Sequence, residues 1–130
     1  MNVEIIDIPK IENPFGSIAI IEKDVIPFEI KRVYYLYDVP SFAQRGGHAH
    51  KNLNQILIAL SGSFDVVLKD GFDTQIITLN KPNKGLLIKT NIWRELENFS
   101  SGSVCLVLAS EVFDENDYIR DYQDFLAYIK

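Results

Sequence analysis

The stretch that decides the fold is Arg45-Gly46-Gly47-His48-Ala49-His50-Lys51, which holds the only two histidines of the 130-residue chain. In a β-strand, residues two apart share a face, so both imidazoles point to one side while Ala49 points to the other. Two histidines placed at random in a chain of this length fall two apart in about one or two cases in a hundred. The spacing therefore predicts a strand that presents two titratable rings to one cavity.

Short runs rich in Val, Ile, Tyr and Phe surround this stretch, and turn residues separate them. Roughly ten such runs, with turns every eight to twelve residues, predict an all-β sandwich or barrel. Asp70-Gly71 joins two of the runs, so Phe64–Leu79 is predicted to be a β-hairpin. The predicted strands are Asn2–Ile8, Ser17–Lys23, Arg32–Val39, His48–His50, Asn54–Ser61, Ser63–Lys69, Thr74–Leu79, Gly85–Ile88, Trp93–Phe99 and Ser103–Ala109.

One segment near the C-terminus has helical rather than strand spacing. Between Ile119 and Ile129, the apolar residues fall on one face of a helix. We expect a short C-terminal helix that closes the barrel or packs on a partner. A chain of 130 residues fits one domain, residues 1–130.

Charge and composition narrow the partners and the compartment. Thirteen basic against 18 acidic residues give a formal net charge of -5, which repels a phosphate backbone, so nucleic acid is not expected to bind. A few arginines in a cleft can still bind a small anion. Cys105 is the only cysteine, so no internal disulfide forms. Without a secretion signal or an apolar run of membrane-spanning length, we expect a cytoplasmic protein with no membrane partner.

The histidine stretch resembles the first motif of the cupins, which form double-stranded β-helix (jelly-roll) barrels. That motif is HxH, then Glu, then Gly; here Gln55 and Gly62 meet the spacing, but an amide replaces the carboxylate. Pro82–Gly85 resembles the turn of the second cupin motif. The position where that motif has a histidine ligand is occupied by Ile88. A cupin metal centre needs about four ligands drawn from His and Glu. The sequence therefore predicts acid-base work by the imidazoles themselves, without metal or other cofactor.

Over nearly its whole length the chain is similar to the dTDP-4-keto-6-deoxyglucose 3,4-ketoisomerases, bacterial cupin-type enzymes of deoxysugar biosynthesis. The resemblance rests on Arg32–Pro40, Arg45–Lys51, Gln55 with Leu60–Ser63, Asp70-Gly71, Trp93–Leu96, Val107–Ser110 and Asp117–Arg120. It implies a metal-free homodimeric isomerase that acts on the dTDP-linked 4-keto-6-deoxyhexose, with His48, His50 and Tyr37 as catalytic residues. It also implies that the product goes to an aminotransferase, which makes a 3-amino-3,6-dideoxy sugar for a surface glycan such as O-antigen lipopolysaccharide.

The reaction itself suggests roles for these residues. Moving a ketone from C4 to C3 requires removal of the C3 proton and delivery of a proton to C4 through an enediol. We expect His50 to act on carbon and His48 and Tyr37 to act on the oxygens, although the two histidines could exchange roles. Strand alternation puts Tyr35 and Tyr37 on one face and Tyr34 on the other, and one of these faces must fill the barrel.

The diphosphate of the substrate requires cationic donors, above all forked guanidinium groups. An interior amide can hydrogen-bond the ligand, and an indole can either contact it or anchor the barrel wall. The residues expected to bind substrate are Arg32, Arg45, Lys51, Gln55, Trp93 and Arg94.

Three other functions stay open on the sequence alone. A dTDP-sugar epimerase on the same fold also removes a proton beside a ketone, but it inverts carbon centres and leaves the carbonyl in place. A non-catalytic sugar-nucleotide-binding cupin would bind without turnover. A metal-dependent cupin oxygenase would need a metal for activity. A homodimer is expected from the resemblance and from the exposed strand edge of Asn2–Ile8.

Overall fold

Two five-stranded antiparallel sheets make up most of the computed structural model, which describes residues 1–130. The elements are β1 (Val3–Asp7), β2 (Lys10–Asn13), β3 (Gly16–Ala19), β4 (Arg32–Leu36), β5 (Arg45–His50), β6 (Gln55–Ser61), β7 (Phe64–Lys69), β8 (Thr74–Leu79), β9 (Lys84–Ile88), β10 (Trp93–Glu97), β11 (Val104–Ala109), β12 (Tyr118–Ile119) and α1 (Tyr122–Tyr128). One sheet has the order β1-β9-β6-β11-β4, and the other has the order β12-β5-β10-β7-β8. The predicted all-β jelly-roll barrel with a short C-terminal helix is confirmed.

The apolar core lies between the two sheets. Thirteen buried apolar residues form one cluster there, and the rings of Phe64 and Phe99 stack at 5.2 Å between centroids. Burial of this apolar surface is the main term that holds the sheets together. Three members of the cluster, Leu57, Leu96 and Val107, also line a cavity between the sheets, so the core and the cavity are continuous.

Helix α1 covers the outer face of β5. The carboxylate of Asp121 caps its first turn by accepting a hydrogen bond from the backbone N–H of Asp124. Phe125 is fully buried, and packs in a cluster with Ala49, Trp93 and Ile119. This seven-residue element is far from the length needed to cross a bilayer, and no other helix in the structure is long and apolar enough to do so.

Several predicted element boundaries are wrong. Helix α1 does not begin at Ile119, because Tyr118–Ile119 pairs with β5 as strand β12. The sequence also missed β2, whose residues Lys10–Asn13 are all exposed and show no apolar alternation. The hairpin predicted at Asp70-Gly71 is present, with β7 and β8 paired from Phe64 opposite Leu79.

A β-bulge shapes the histidine strand. The pairing of β10 with β5 shifts register between Arg94 and Leu96, which lie opposite His48 and Arg45. Gly46 sits in this bulge with a φ of +73°, and a Cβ there would lie 3.4 Å from the Leu96 side chain. Glycine adopts this backbone conformation without steric cost. The bulge thus sets which residues of β5 face inward.

Candidate active site

A cavity of about 110 Å³ lies between the two sheets beside β5. One wall comes from β5 and β10, and the other from β4, β6 and β11. The apolar part of the wall belongs to the core, so the polar groups stand out against it. Its polar side chains are Tyr34, Arg45, His48, Gln55 and Arg94.

Both imidazoles project from the inner face of β5, as their spacing predicts. The rings of His48 and His50 lie 4.8 Å apart between centroids and nearly perpendicular, while Ala49 is buried on the outer face. His48 lines the cavity, whereas His50 is fully buried behind it. The Nε2 atoms of both rings are buried without a hydrogen-bond partner in the protein, so a bound ligand could supply one.

The two imidazoles are neutral over a wide pH range. Burial lowers the pKa of His48 to about 2 and the pKa of His50 to about 3, and the guanidinium of Arg94 acts in the same direction. Burial does this because it disfavours the charged form of a group. Near neutral pH, each ring therefore has a free lone pair that can accept a proton.

Asp117 fixes the tautomer of His50. The carboxylate Oδ2 lies 2.9 Å from Nδ1 of His50 and accepts a hydrogen bond from it. The backbone N–H groups of Asn52 and Leu53 also donate to this carboxylate, at 2.6 and 3.3 Å. With the proton on Nδ1, the lone pair of His50 is on Nε2. Asp117 belongs to the stretch that carries the family resemblance, but sequence reasoning gave it no role.

Arg94 places a buried positive charge at the cavity. Its side chain is 1% exposed, and its Nη2 donates to the backbone oxygen of Ile92 at 3.0 Å. Its Nη1 donates to Oε1 of Gln55, while Nε2 of Gln55 donates to the hydroxyl of Tyr34 at 3.5 Å. No carboxylate lies within ion-pair distance of this guanidinium. Burial lowers the pKa of Arg94 to about 10, so it is cationic at neutral pH and can stabilise an anion in the cavity.

These residues do not fit a cupin metal centre. Gln55 stands where the motif has a carboxylate, and its oxygen accepts from the Arg94 guanidinium, whose charge repels a cation. Ile88, at the position of the third histidine, is buried in the apolar core. No group of three or more His, Cys, Asp or Glu side chains is placed to hold a metal ion. The donor set and its charge both oppose metal binding.

Tyr37, which was predicted to be catalytic, does not line the cavity with His48. It is 62% exposed and contacts Tyr35 on the outer face of the barrel, with 6.0 Å between the ring centroids. The alternation of β4 instead turns Tyr34 inward, where its hydroxyl lines the cavity. Tyr34 is therefore the phenol beside His48, and its pKa is raised by burial.

The remaining predicted binding residues divide between the cavity and the outer surface. Gln55 and Arg94 line the cavity, and Arg45 is an exposed residue at its edge. Trp93 points outward beneath α1, where its Nε1 donates to Glu95 at 2.8 Å, so it anchors the barrel wall. Lys51 is exposed, with its ammonium group 5.7 Å from the centre of the Tyr128 ring on the outer surface.

Arg32 reaches the histidines through a second tyrosine that the sequence analysis missed. Its Nη2 donates to the hydroxyl of Tyr118 at 3.4 Å. The ring of Tyr118 lies 4.4 Å from that of His50 and 5.1 Å from that of His48. Tyr118 is the direct cross-strand neighbour of His50 in the pairing of β12 with β5.

A jelly-roll barrel with this site has the architecture of the cupin-type sugar-nucleotide isomerases and epimerases. The whole chain, residues 1–130, matches the family described as FdtA: WxcM-like, C-terminal, and it belongs to that family. The predicted family and the prediction that the chain is an isomerase are confirmed.

Three relatives support this assignment. The TDP-4-oxo-6-deoxy-alpha-D-glucose-3,4-oxoisomerase of Aneurinibacillus thermoaerophilus is 47% identical over 99% of this chain and 94% of its own length. A 3,4-ketoisomerase from Helicobacter canadensis is 48% identical, with a TM-score of 0.96 over 99% of this chain and 98% of that one. A histidine-to-asparagine mutant of the 3,4-ketoisomerase QdtA from Thermoanaerobacterium thermosaccharolyticum, solved with TDP-4-keto-6-deoxyglucose, is 45% identical, with a TM-score of 0.97 over 98% of this chain and 94% of that one.

The low pKa values of the histidines predict how stability depends on pH. In the unfolded chain both rings titrate near 6.5, so below that pH the unfolded state binds more protons than the folded state, in which both pKa values lie near 2 and 3. The contribution of the two neutral imidazoles to the stability of the folded protein is complete above pH 6.5 and is lost as the pH falls. We expect the free energy of unfolding to drop by about 2 kcal/mol between pH 7 and pH 5.5, measured by urea denaturation.

The matched control for this measurement is His48→Asn, which removes one of the two groups. Its free energy of unfolding should fall by about half as much over the same pH interval. A wild-type stability that does not change between these two pH values would show that the imidazoles titrate normally in the folded protein.

Proposed function

We propose that this protein is a metal-independent 3,4-ketoisomerase that converts dTDP-4-keto-6-deoxyglucose to a dTDP-3-keto-6-deoxyhexose by histidine acid-base catalysis. The observation that carries this proposal is the neutral imidazole pair beside a buried guanidinium that has no carboxylate partner. A base and an anion-stabilising cation are the two groups that enolisation of a ketone requires. The substrate named for the relatives has the ketone that this chemistry needs.

The first step is removal of the C3 proton, which the neighbouring C4 carbonyl makes acidic. We assign this step to His48, because His48 lines the cavity and His50 lies behind it. This reverses the assignment expected from the sequence. The electron pair of the C3–H bond forms the C3–C4 double bond, and negative charge develops on O4. Arg94, fully buried at the cavity wall, stabilises that charge.

The second step moves protons between the oxygens and returns one to C4. O4 of the enediolate gains a proton and O3 loses one, and protonation of C4 then leaves the ketone at C3. The hydroxyl of Tyr34 and the imidazole of His50, with its tautomer set by Asp117, are the groups nearest to His48 that can carry these protons. The atoms balance without an oxidant or a reductant, so no cofactor is required.

The size of the cavity suggests how the substrate divides. At about 110 Å³ it is smaller than the roughly 300 Å³ at the lower end for drug-sized ligand pockets. We therefore place the hexose inside and the nucleoside diphosphate at the edge, near Arg45 and Arg32. The 3-ketone product is the kind of carbonyl that an aminotransferase accepts, consistent with a role in making 3-amino-3,6-dideoxy sugars for surface glycans.

Incubation with dTDP-4-keto-6-deoxyglucose in deuterated water tests the proposed reaction. We expect the wild-type protein to form a 3-keto product with solvent deuterium at C4, seen by NMR of the sugar. The rate should survive treatment with a chelator, with metal content checked by elemental analysis. Inverted carbon centres with the ketone still at C4 would indicate an epimerase, and binding without turnover would indicate a binding protein.

Two histidine variants separate the roles in the same assay. His48→Asn should lose both deuterium exchange at C3 of the substrate and product formation, each by at least about 100-fold, because it lacks the carbon base. His50→Asn should still exchange C3 while forming product slowly. If His50→Asn alone abolishes C3 exchange, the two roles are the other way round.

The two tyrosines, Tyr34 in β4 and Tyr37 just after it, offer a matched pair of substitutions. Tyr34→Phe removes a hydroxyl from the cavity wall, and we expect kcat to fall by about 10-fold or more. Tyr37→Phe makes the same change on the outer face and should leave kcat within about twofold. A larger loss in Tyr37→Phe than in Tyr34→Phe would contradict the assignment of Tyr34 as the phenol of the site.

We also propose a homodimer built on the hairpin of β2 and β3. All residues of both strands are exposed, and neither strand pairs with either sheet. Ile11 and Ile18 are cross-strand neighbours that are 54% and 59% exposed, and Phe15 at the turn is 98% exposed. An isolated two-stranded hairpin is marginally stable by itself. A second copy of the chain that covers these apolar residues would stabilise it.

Sedimentation equilibrium at micromolar concentration tests the dimer. We expect two chains per particle for the wild type and one for Ile11→Glu combined with Ile18→Glu, because two buried carboxylates oppose association. Phe72→Glu places a charge on an aromatic residue elsewhere that is 93% exposed, and it should leave the dimer intact. One chain per particle in the wild type would remove this proposal.

A further inference from the structure

Tyr118 has a position that the proposed reaction does not use. It does not line the substrate cavity, yet its ring contacts the rings of both histidines, at 4.4 and 5.1 Å. Three groups fix it in place: its backbone pairs with His50, its hydroxyl accepts from Arg32, and the guanidinium of Arg120 lies 4.2 Å from its ring centre. Tyr118 is therefore held in a fixed position against both imidazole rings.

On its other side, Tyr118 borders solvent. A groove of about 280 Å³ runs along the outer surface there, lined by Lys51, Tyr118, Ile119, Arg120, Asp124 and Tyr128. Tyr118 therefore borders both this open groove and His50, which is 0% exposed. The His48 ring and the carboxylate of Asp117 also contact the His50 ring.

We propose that Tyr118 is a positioning residue that keeps the imidazole pair dry by closing it off from the outer groove. Removing the ring would let water reach His50 from the groove and stabilise its charged form. His50, which carries a proton in the second step, would then be protonated at a higher pH, and the acid limb of catalysis would move toward neutrality. The inference rests on the proposed function only for this catalytic consequence, since the exclusion of water is a property of the protein without substrate.

Other charged and titratable groups also surround the imidazole pair. They approach from four directions: β4, β10, the turn before β12 and the residue after it. These groups are Arg32, Tyr34, Arg94, Asp117 and Arg120. The three guanidinium groups disfavour a protonated imidazole. Water that reaches the pair in a variant would stabilise the protonated form, and it would also screen the repulsion from these groups.

Proton NMR titration of the two histidines tests this proposal without substrate. In the wild type, neither ring should titrate between pH 8 and about pH 5. In Tyr118→Leu, we expect at least one titration midpoint to rise by about two pH units or more, into the measured range, because an aliphatic side chain cannot fill the place of the ring. Tyr118→Phe keeps the ring and should titrate like the wild type.

Matched controls make the result decisive. Phe113 contacts the Tyr118 ring at 5.6 Å and is 59% exposed, without contacting either imidazole, so Phe113→Leu should not shift the midpoints. If Tyr118→Leu, folded as judged by circular dichroism, titrates like the wild type, the proposal is overturned. It is also overturned if Tyr118→Phe shifts as far as Tyr118→Leu, because the hydroxyl and not the ring would then be responsible.

A second measurement covers the case in which Tyr118→Leu does not fold. Diethyl pyrocarbonate modifies neutral imidazoles that it can reach, and absorbance at about 240 nm counts them. The folded wild type should react at no more than one of its two histidines, since the ring covers His50. Rapid modification of both would overturn the proposal. Neither readout depends on turnover, so a failure of the isomerase assay would be a separate result.

Discussion

The site depends on the C-terminal end of strand β5, where both faces of the strand are covered. Period-two alternation in β5 turns His48 and His50 inward and Ala49 outward, where Phe125 of α1 packs over it. A larger residue at position 49 would push the helix away, and a shift of one residue would exchange the faces and put the imidazoles beneath α1. The bulge at Gly46 sets this register. The terminal helix therefore supports the site although it contributes no side chain to the cavity.

The charge of Arg94 explains why this chain departs from the cupin metal motif. A glutamate at position 55 would pair with the guanidinium and neutralise it, whereas the amide of Gln55 accepts a hydrogen bond and leaves the charge available. Burial and this charge together keep the two imidazoles neutral. Glutamine instead of glutamate at position 55 thus removes a metal ligand and also leaves the charge of Arg94 without a carboxylate partner beside the two imidazoles. In the proposed reaction, this combination supplies both the base and the positive charge that an enediolate intermediate needs.

Local patterns in the sequence predicted much of the fold and the centre of the site. The alternation of apolar residues gave most strands of both sheets, and the spacing of His48 and His50 gave their shared face. Where one strand has aromatic residues on both faces, the pattern cannot say which face is inside. Tyr37 was assigned from the family resemblance, whereas Tyr34 is the inward residue. Which face is inside depends on how the two sheets pack against each other.

Two residues at the site were not predicted from the sequence, for a different reason. Asp117 lies 67 residues from His50 along the chain, and Tyr118 follows it in a strand of only two residues. Such a strand is too short to show any periodicity, and the contact exists only because β12 closes the edge of the second sheet. Outward-facing Trp93 was equally ambiguous, since an indole beside a site strand can serve either side of the wall.

The place of that indole determines what an optical signal from this protein means. Trp93 is the only tryptophan, and it is packed against Tyr122 and Phe125 of α1, with its ring centroid 5.3 and 5.9 Å from theirs. Its intrinsic fluorescence therefore reports whether the terminal helix is docked on the barrel, and it is separated by the backbone of the sheet from whatever occupies the interior. Emission that stays constant while a nucleotide sugar is added is thus no sign that the ligand has failed to bind.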